Sequence, residues 1–298
     1  MKNIILDTDW GGDCDDVVAA RLLANSHING EINFIGCIIN DCRPYSVRSL
    51  DAFLLLSGVD IPIGMDFNAK DFNDDGAYQK RMVDNLKSKY ANETDADDAV
   101  KAYRKLLAAA TGKVEIVAIG FTQVLADLLE SPADDISPLS GMELVKEKVA
   151  HLWDMGGRWD GKNPSEYNFV ANARAISGSH RMCANWPTPI TFLGWEVGDP
   201  VLTGGNVSEE DPLRMALIDY KCEGGRPSWD PMTALLAVID NPEEAGYSTV
   251  SGYASAEEGT GHCSFVIDEN GPHRYVVKKH PDEWYAEQIN KRILFKSI

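Results

Sequence analysis

The sequence predicts an α/β fold, a single Rossmann-like domain with a mostly parallel central sheet, helices on both faces and additional C-terminal strands. Three observations predict it. Short β-branched runs alternate with helix-length patterns through the first two-thirds of the chain, which is the pattern of successive βαβ units. The strand segments are near-continuously apolar rather than alternating, as in sheets buried on both sides. The 298 residues, 44% of them apolar, are enough for one large core, and no low-complexity linker or internal repeat divides them.

Taken in order, strands are predicted at 3–6, 32–39, 61–65, 114–119, 149–155 and 190–193, with helices between them at 16–25, 45–56, 100–110, 123–129 and 171–184. A helix at 230–238 follows. The stretch 66–98 is rich in Asp and Lys and reads as an insertion or lid. From 245 to 298 the pattern changes. "YSTVSGYAS", "CSFVIDE" and "HRYVVKK" read as strands, and "DENGPH" places an Asn-Gly turn between the last two. "PDEWYAEQINKRIL" reads as a closing helix with Pro281 at its start. One domain over 1–298 accounts for all of this.

The formal charge of −18 argues against a nucleic-acid backbone or an anionic lipid surface as the main partner. No apolar run is long enough to span a membrane, and the N-terminus lacks a basic and apolar cleavable signal. Six cysteines are scattered without C-x-x-C pairs, the pattern of reduced thiols in a cytoplasmic protein.

The chemistry concentrates in "IILDTDWGGDCDDVVAARLL", where Asp7, Asp9, Asp13, Asp15 and Asp16 crowd a loop between an apolar strand and an apolar helix. Two unit charges about 4 Å apart repel by roughly 4 kcal/mol at an effective dielectric near 20. Such a cluster must hold protons, splay into water or share a cation. An EF-hand is excluded, because position twelve of that loop would be Val18 and a strand precedes it. A strand ending in D-x-D also suits an aspartyl-phosphate phosphatase using Mg²⁺, with Asp7 as nucleophile and Asp9 as acid/base. Cys14 sits among carboxylates, which should raise its pKa and keep it unreactive.

"DTDWGGDCDDVVAARLL" resembles the N-terminal signature of the nucleoside hydrolase family, in a longer variant that carries an additional Asp-Cys pair. Four later segments resemble that family in the same order: "IGCIINDCRPYSVRSLDAFLLLSGVDIPIG", "VEIVAIGFTQVLADLL", "WDMGG" with "NPSEYNFVANARAI", and "SWDPMTALLAV". The resemblance implies calcium-dependent hydrolysis of the N-glycosidic bond of ribonucleosides through an oxocarbenium-like transition state. It implies that Asp9, Asp16, Asp230 and the Thr122 carbonyl hold Ca²⁺, with Asp9 also the general base. Asp15 and Asn168 would meet ribose hydroxyls, with Asn40 a further ribose-side residue. Asn163 and Glu166 would face the 5′ end, with Asp160 as the alternative to Asn163. Asp7 would brace the loop, and Asp13 has no counterpart in the shorter signature. A homodimer or homotetramer is implied as well. A non-catalytic riboside-binding relative would carry the same half-site.

The resemblance is incomplete on the base side. Where inosine–uridine relatives place a His before the late Asp, this chain has Trp229, and no His lies between His27 and His151. Purine-selective relatives instead stack the base between aromatic rings, for which Trp229, Trp159 and Trp10 are the candidates. His262 is the one histidine in a Gly-rich loop of the later sheet.

Overall fold

The computed structural model describes residues 1–72 and 74–294; the remainder of the 245–298 segment, 295–298, lies outside the described residues. In chain order the main elements are β1 (Asn3–Thr8), α1 (Asp15–Ile28), β2 (Asn33–Ile39), α2 (Ser46–Leu56), β3 (Ile63–Met65), α3 (Gln79–Asn85), β4 (Asp97–Asp98), α4 (Ala99–Ala109), β5 (Val114–Ala118) and α5 (Gln123–Glu130). They continue with α6 (Gly141–Lys148), β6 (Val149–Met155), α7 (Tyr167–Val170), α8 (Ala173–Asn185), β7 (Ile190–Leu193), α9 (Trp195–Gly198), β8 (Leu202–Thr203) and α10 (Pro212–Asp219). The last are β9 (Arg226–Pro227), α11 (Trp229–Ile239), β10 (Tyr247–Ala256), β11 (Cys263–Ile267), β12 (His273–Lys278) and α12 (Asp282–Ile293).

Among the described residues one ten-stranded sheet runs in the order β11-β10-β12-β7-β6-β5-β1-β2-β3-β4, and β8 pairs with β9 in a small separate ribbon. From β12 to β4 every neighbouring pair is parallel. The centre of the sheet explains why its strands read as unbroken apolar runs. Every residue of β1, β5 and β7 is buried, because helices cover both faces. The two faces fill two cores, one beneath α1, α2 and α11, the other beneath α4, α5 and α8.

The C-terminal strands correct one expectation. The Asn-Gly turn forms, but β11 and β12 are not a hairpin. Both pair antiparallel with β10, on its opposite edges, so the turn carries the chain across β10. The crossing is close: a Cβ on Gly271 would lie 2.2 Å from the Gly252 carbonyl oxygen, so only glycine fits there. β12 then lies parallel to β7 and joins these strands to the main sheet.

Among the described residues, three helices of seven or more residues have no counterpart in the apolar periodicity: α3, α6 and α10. Two carry local start signals. Ser140 and Glu143 form a capping box at α6, and Asp211 caps α10 ahead of Pro212. α3 belongs to the 66–98 stretch, which packs against the acidic loop. The Tyr78 hydroxyl donates to the Asp13 carbonyl (2.8 Å) and the Gln79 amide to that of Trp10 (3.4 Å). No helix among the described residues is long and apolar enough to cross a membrane.

Candidate active site

A cleft of about 360 Å³ opens at the carboxyl ends of β1, β5, β6 and β7. That is where open α/β sheets place ligands. Its floor is acidic, and strand and helix ends build it. Asp9 follows β1, Asp15 and Asp16 open α1, and Asp230 is the second residue of α11. Two helix N-termini thus meet the carboxylates, and their dipoles favour negative charge there.

The carboxylates are held from behind. The Thr8 hydroxyl donates to Asp16 Oδ1, and the Asp230 backbone N–H donates to Asp15 Oδ2 at 3.1 Å. Asp7, fully buried, accepts from the Asn40 amide and the Tyr103 hydroxyl, each at 2.5 Å, so it braces the loop and does not line the cleft. That occupancy disfavours Asp7 as a phosphatase nucleophile. Gly120 lets β5 close on the site, since a Cβ there would fall 2.6 Å from the Asp9 backbone nitrogen.

The electrostatics follow from crowding. Burial, then Asp41 and Asp13, raise the Asp9 carboxyl to about 7. Burial pushes Asp15, Asp16 and Asp230 well above the carboxylate range, and the neighbouring carboxylates push them further. Burial also pushes the Cys14 thiol up, in line with the unreactive role expected of it.

Asp15, Asp16 and Asp230 each offer an oxygen, and the three lie within 4.8 Å of one another. Oxygens bound to one Ca²⁺ at 2.3–2.6 Å can lie at most about 5 Å apart. Asp16 Oδ2 is buried with no hydrogen-bond partner, which is the situation of a ligand atom awaiting a cation. A hard divalent cation fits these donors. The tight trio contains Asp15, placed on the sugar by the sequence resemblance, while Asp9 stands beside it.

No family model and no curated protein matches the sequence. Solved structures do match, over nearly the whole chain. An inosine-uridine preferring nucleoside hydrolase from Bacillus anthracis aligns at TM-score 0.69 and 15% identity, covering 98% of this chain and 99% of that one. A purine-preferring ribonucleoside hydrolase from Gardnerella vaginalis aligns at 0.70 and 16%, covering 98% of each. An inosine-guanosine nucleoside hydrolase aligns at 0.70 and 15%, also covering 98% of each. The chain has the nucleoside hydrolase fold.

On that fold, four of the remaining expected site residues fall away from the cleft or change role. The Thr122 carbonyl accepts the first α5 hydrogen bond, from Ala126 N at 3.1 Å, and the cleft is lined at this strand end by Ile119. Asn40 is fully buried and spent on Asp7 and on the Phe121 N–H (3.1 Å). Asn163 is exposed and accepts the Ser165 N–H (3.0 Å) in a local turn. Asp160, its alternative, pairs with Arg158.

Glu166, Asn168 and Trp229 do line the cleft. Glu166 accepts backbone N–H groups of Gly157 (3.1 Å) and Asn168 (3.0 Å), and burial raises its carboxyl to about 7. The Asn168 amide donates to the Met155 carbonyl (3.0 Å). Trp229 donates to the Trp195 carbonyl (2.8 Å).

The other two tryptophans are core. Trp10 is fully buried, donates to Ser49 (2.8 Å) and packs on Phe53 and Tyr78. Trp159 packs among Phe169, Phe192, Phe265 and Tyr275. His262 is exposed beside Glu257, and no histidine lines this cleft among the described residues. Residues not anticipated from sequence complete the rim: Tyr167, Trp195, Tyr220 and Arg226.

Proposed function

We propose that this protein hydrolyses the N-glycosidic bond of ribonucleosides with the help of Ca²⁺, giving free base and ribose. The observation that carries the reading is the buried trio Asp15, Asp16 and Asp230, of which Asp15 and Asp230 line the floor of the cleft with Asp9 beside them. Asp16, Asp230 and Asp15 would hold the ion, with Asp9 at its edge. A calcium ion there supplies a fixed positive centre for the ribose diol and makes a bound water more acidic.

The chain's own groups then divide the work. Asp9 takes the proton of the attacking water as it adds to C1′. Asn168 and Glu166 face the sugar from the β6 side of the cleft and orient it, Glu166 toward the 5′ end. Trp229 and Trp195, with ring centroids 6.3 Å apart, form the wall for the leaving base.

A nucleoside panel (inosine, guanosine, adenosine, uridine and cytidine) assayed for free base and reducing sugar tests this. Release of both, lost in chelator and restored by Ca²⁺, is the expected result. Phosphate release from p-nitrophenyl phosphate with no nucleoside cleavage would overturn it. Thermal stabilisation by Ca²⁺ plus ribose without any cleavage would reduce the protein to a riboside binder.

A further inference from the structure

The extended acidic loop and the base-side rim meet at one contact. Arg226, on β9, donates through Nη2 to Asp13 Oδ2. Asp13 is itself fixed, because its Oδ1 accepts the Cys14 N–H (2.5 Å) and its carbonyl accepts the Tyr78 hydroxyl (2.8 Å). The guanidinium lies over the Trp229 ring (5.2 Å) and the Tyr220 ring (5.3 Å). Its side chain keeps 24% exposure and lines the cleft together with Trp229 and Trp195. A cation held by a carboxylate and two rings, at the wall that faces the leaving base, stands where no histidine is found.

Resting on the hydrolase reading above, we propose that Arg226 stabilises the departing base and that Asp13 is its positioning residue. As the C1′–N bond breaks, its electron pair moves onto the base nitrogen. The water oxygen bonds to C1′, and the water proton passes to Asp9. The base leaves as an anion whose charge the guanidinium meets by hydrogen bonding, and it takes its proton afterwards from solvent. Arginine does not give up a proton at physiological pH, so its part is electrostatic. The substrates selected are those whose base presents an acceptor to a guanidinium, as the O6/N7 edge of a 6-oxopurine does.

The test compares leaving groups. Arg226→Ala, Arg226→Lys, Asp13→Asn and the Asp13→Asn/Arg226→Ala pair are assayed on the best nucleoside of the panel and on p-nitrophenyl riboside, whose phenolate departs unaided. Removing one donor to developing negative charge costs about 10²–10³ in kcat. Arg226→Ala is expected to lose about 10²-fold on the nucleoside and only a few-fold on the aryl riboside. Arg226→Lys should recover part of the nucleoside activity. Asp13→Asn should lose less than Arg226→Ala in the same leaving-group-dependent way, and the pair should lose no more than Arg226→Ala alone. Equal losses on both substrates would mean a structural role and overturn the proposal. If the wild type cleaves neither substrate, the hydrolase reading itself fails, and this inference fails with it. Wild-type cleavage of both substrates with Arg226→Ala at full nucleoside activity overturns the Arg226 role alone.

Discussion

The floor and the rim of the cleft are built in opposite ways. The floor comes from contiguous sequence: β1, its loop and the first turn of α1 supply Asp9, Asp15 and Asp16, and only Asp230 arrives from afar. Its side chains are buried, with Asp16 held by Thr8 and Asp15 by the Asp230 N–H, and Asp7 behind them is held by Asn40 and Tyr103. The rim is assembled from separate short elements, with Trp195 on α9, Tyr220 after α10, and Arg226 on β9 ahead of Trp229. Its contacts are ring faces, the Arg226–Asp13 ion pair and hydrogen bonds from Trp229 and Tyr220 to backbone carbonyls. A rigid acidic floor suits a fixed centre, whereas a rim of short elements and loops is where ligand choice can change without disturbing that centre.

The comparison can be broken at four places. The largest effect is expected at Asp9: Asp9→Ala should lower kcat for free-base release by about 10²–10⁴-fold with an unchanged circular dichroism spectrum. A loss confined to KM would move Asp9 from the chemistry to the binding of sugar. Next comes Glu166. Its folded carboxyl titrates near 7 because burial disfavours the charge, against an ordinary value of 4.5. The folded state therefore holds the extra proton, and stability is fullest below about pH 4.5 and declines as pH rises toward 7, by roughly 3 kcal/mol. Urea unfolding of wild type and Glu166→Gln across that window measures it. Parallel curves would show that Glu166 ionises freely.

Cation binding ranks third. Saturating Ca²⁺ at about 100 times its Kd should stabilise the wild type by about 2.7 kcal/mol, read as a rise in Tm. Asp230→Ala and Asp16→Ala should abolish the rise, and a rise retained in both would move the ion elsewhere. The smallest effect is expected at the rim. Trp229→Ala removes a stacking contribution of about 0.5–1.5 kcal/mol, so KM should rise about 2- to 10-fold with kcat for p-nitrophenyl riboside nearly unchanged.

Most of the sheet was legible because its strands are buried on both faces and its helices start at clear breaks. The β11–β12 relation was not, because an Asn-Gly turn specifies a reversal of direction only when the strands beside it also pair with each other. In the site, a contiguous motif revealed the floor carboxylates together. The Thr122 carbonyl was the harder expectation to place, because a backbone carbonyl is aimed by helix geometry, which residue identity does not encode. Asn40 and Asn163 misled for a related reason: an asparagine at a strand end or in a turn is as readily used by the protein itself. Arg226 left no signal, since a lone arginine near a Gly-Gly turn looks like surface until the fold brings Asp13 to it.

The strand order at the far edge has a consequence for how the molecule comes together. β10 and β11 are made before β12, yet β12 is the strand that touches β7. The edge therefore cannot be added to the sheet one strand at a time in order of synthesis. It must wait for β12 to be made, because only through β12 do β10 and β11 join β7. Hydrogen exchange should accordingly find the amides of β10, β11 and β12 opening together, as one cooperative block separate from the strands that carry the acidic floor.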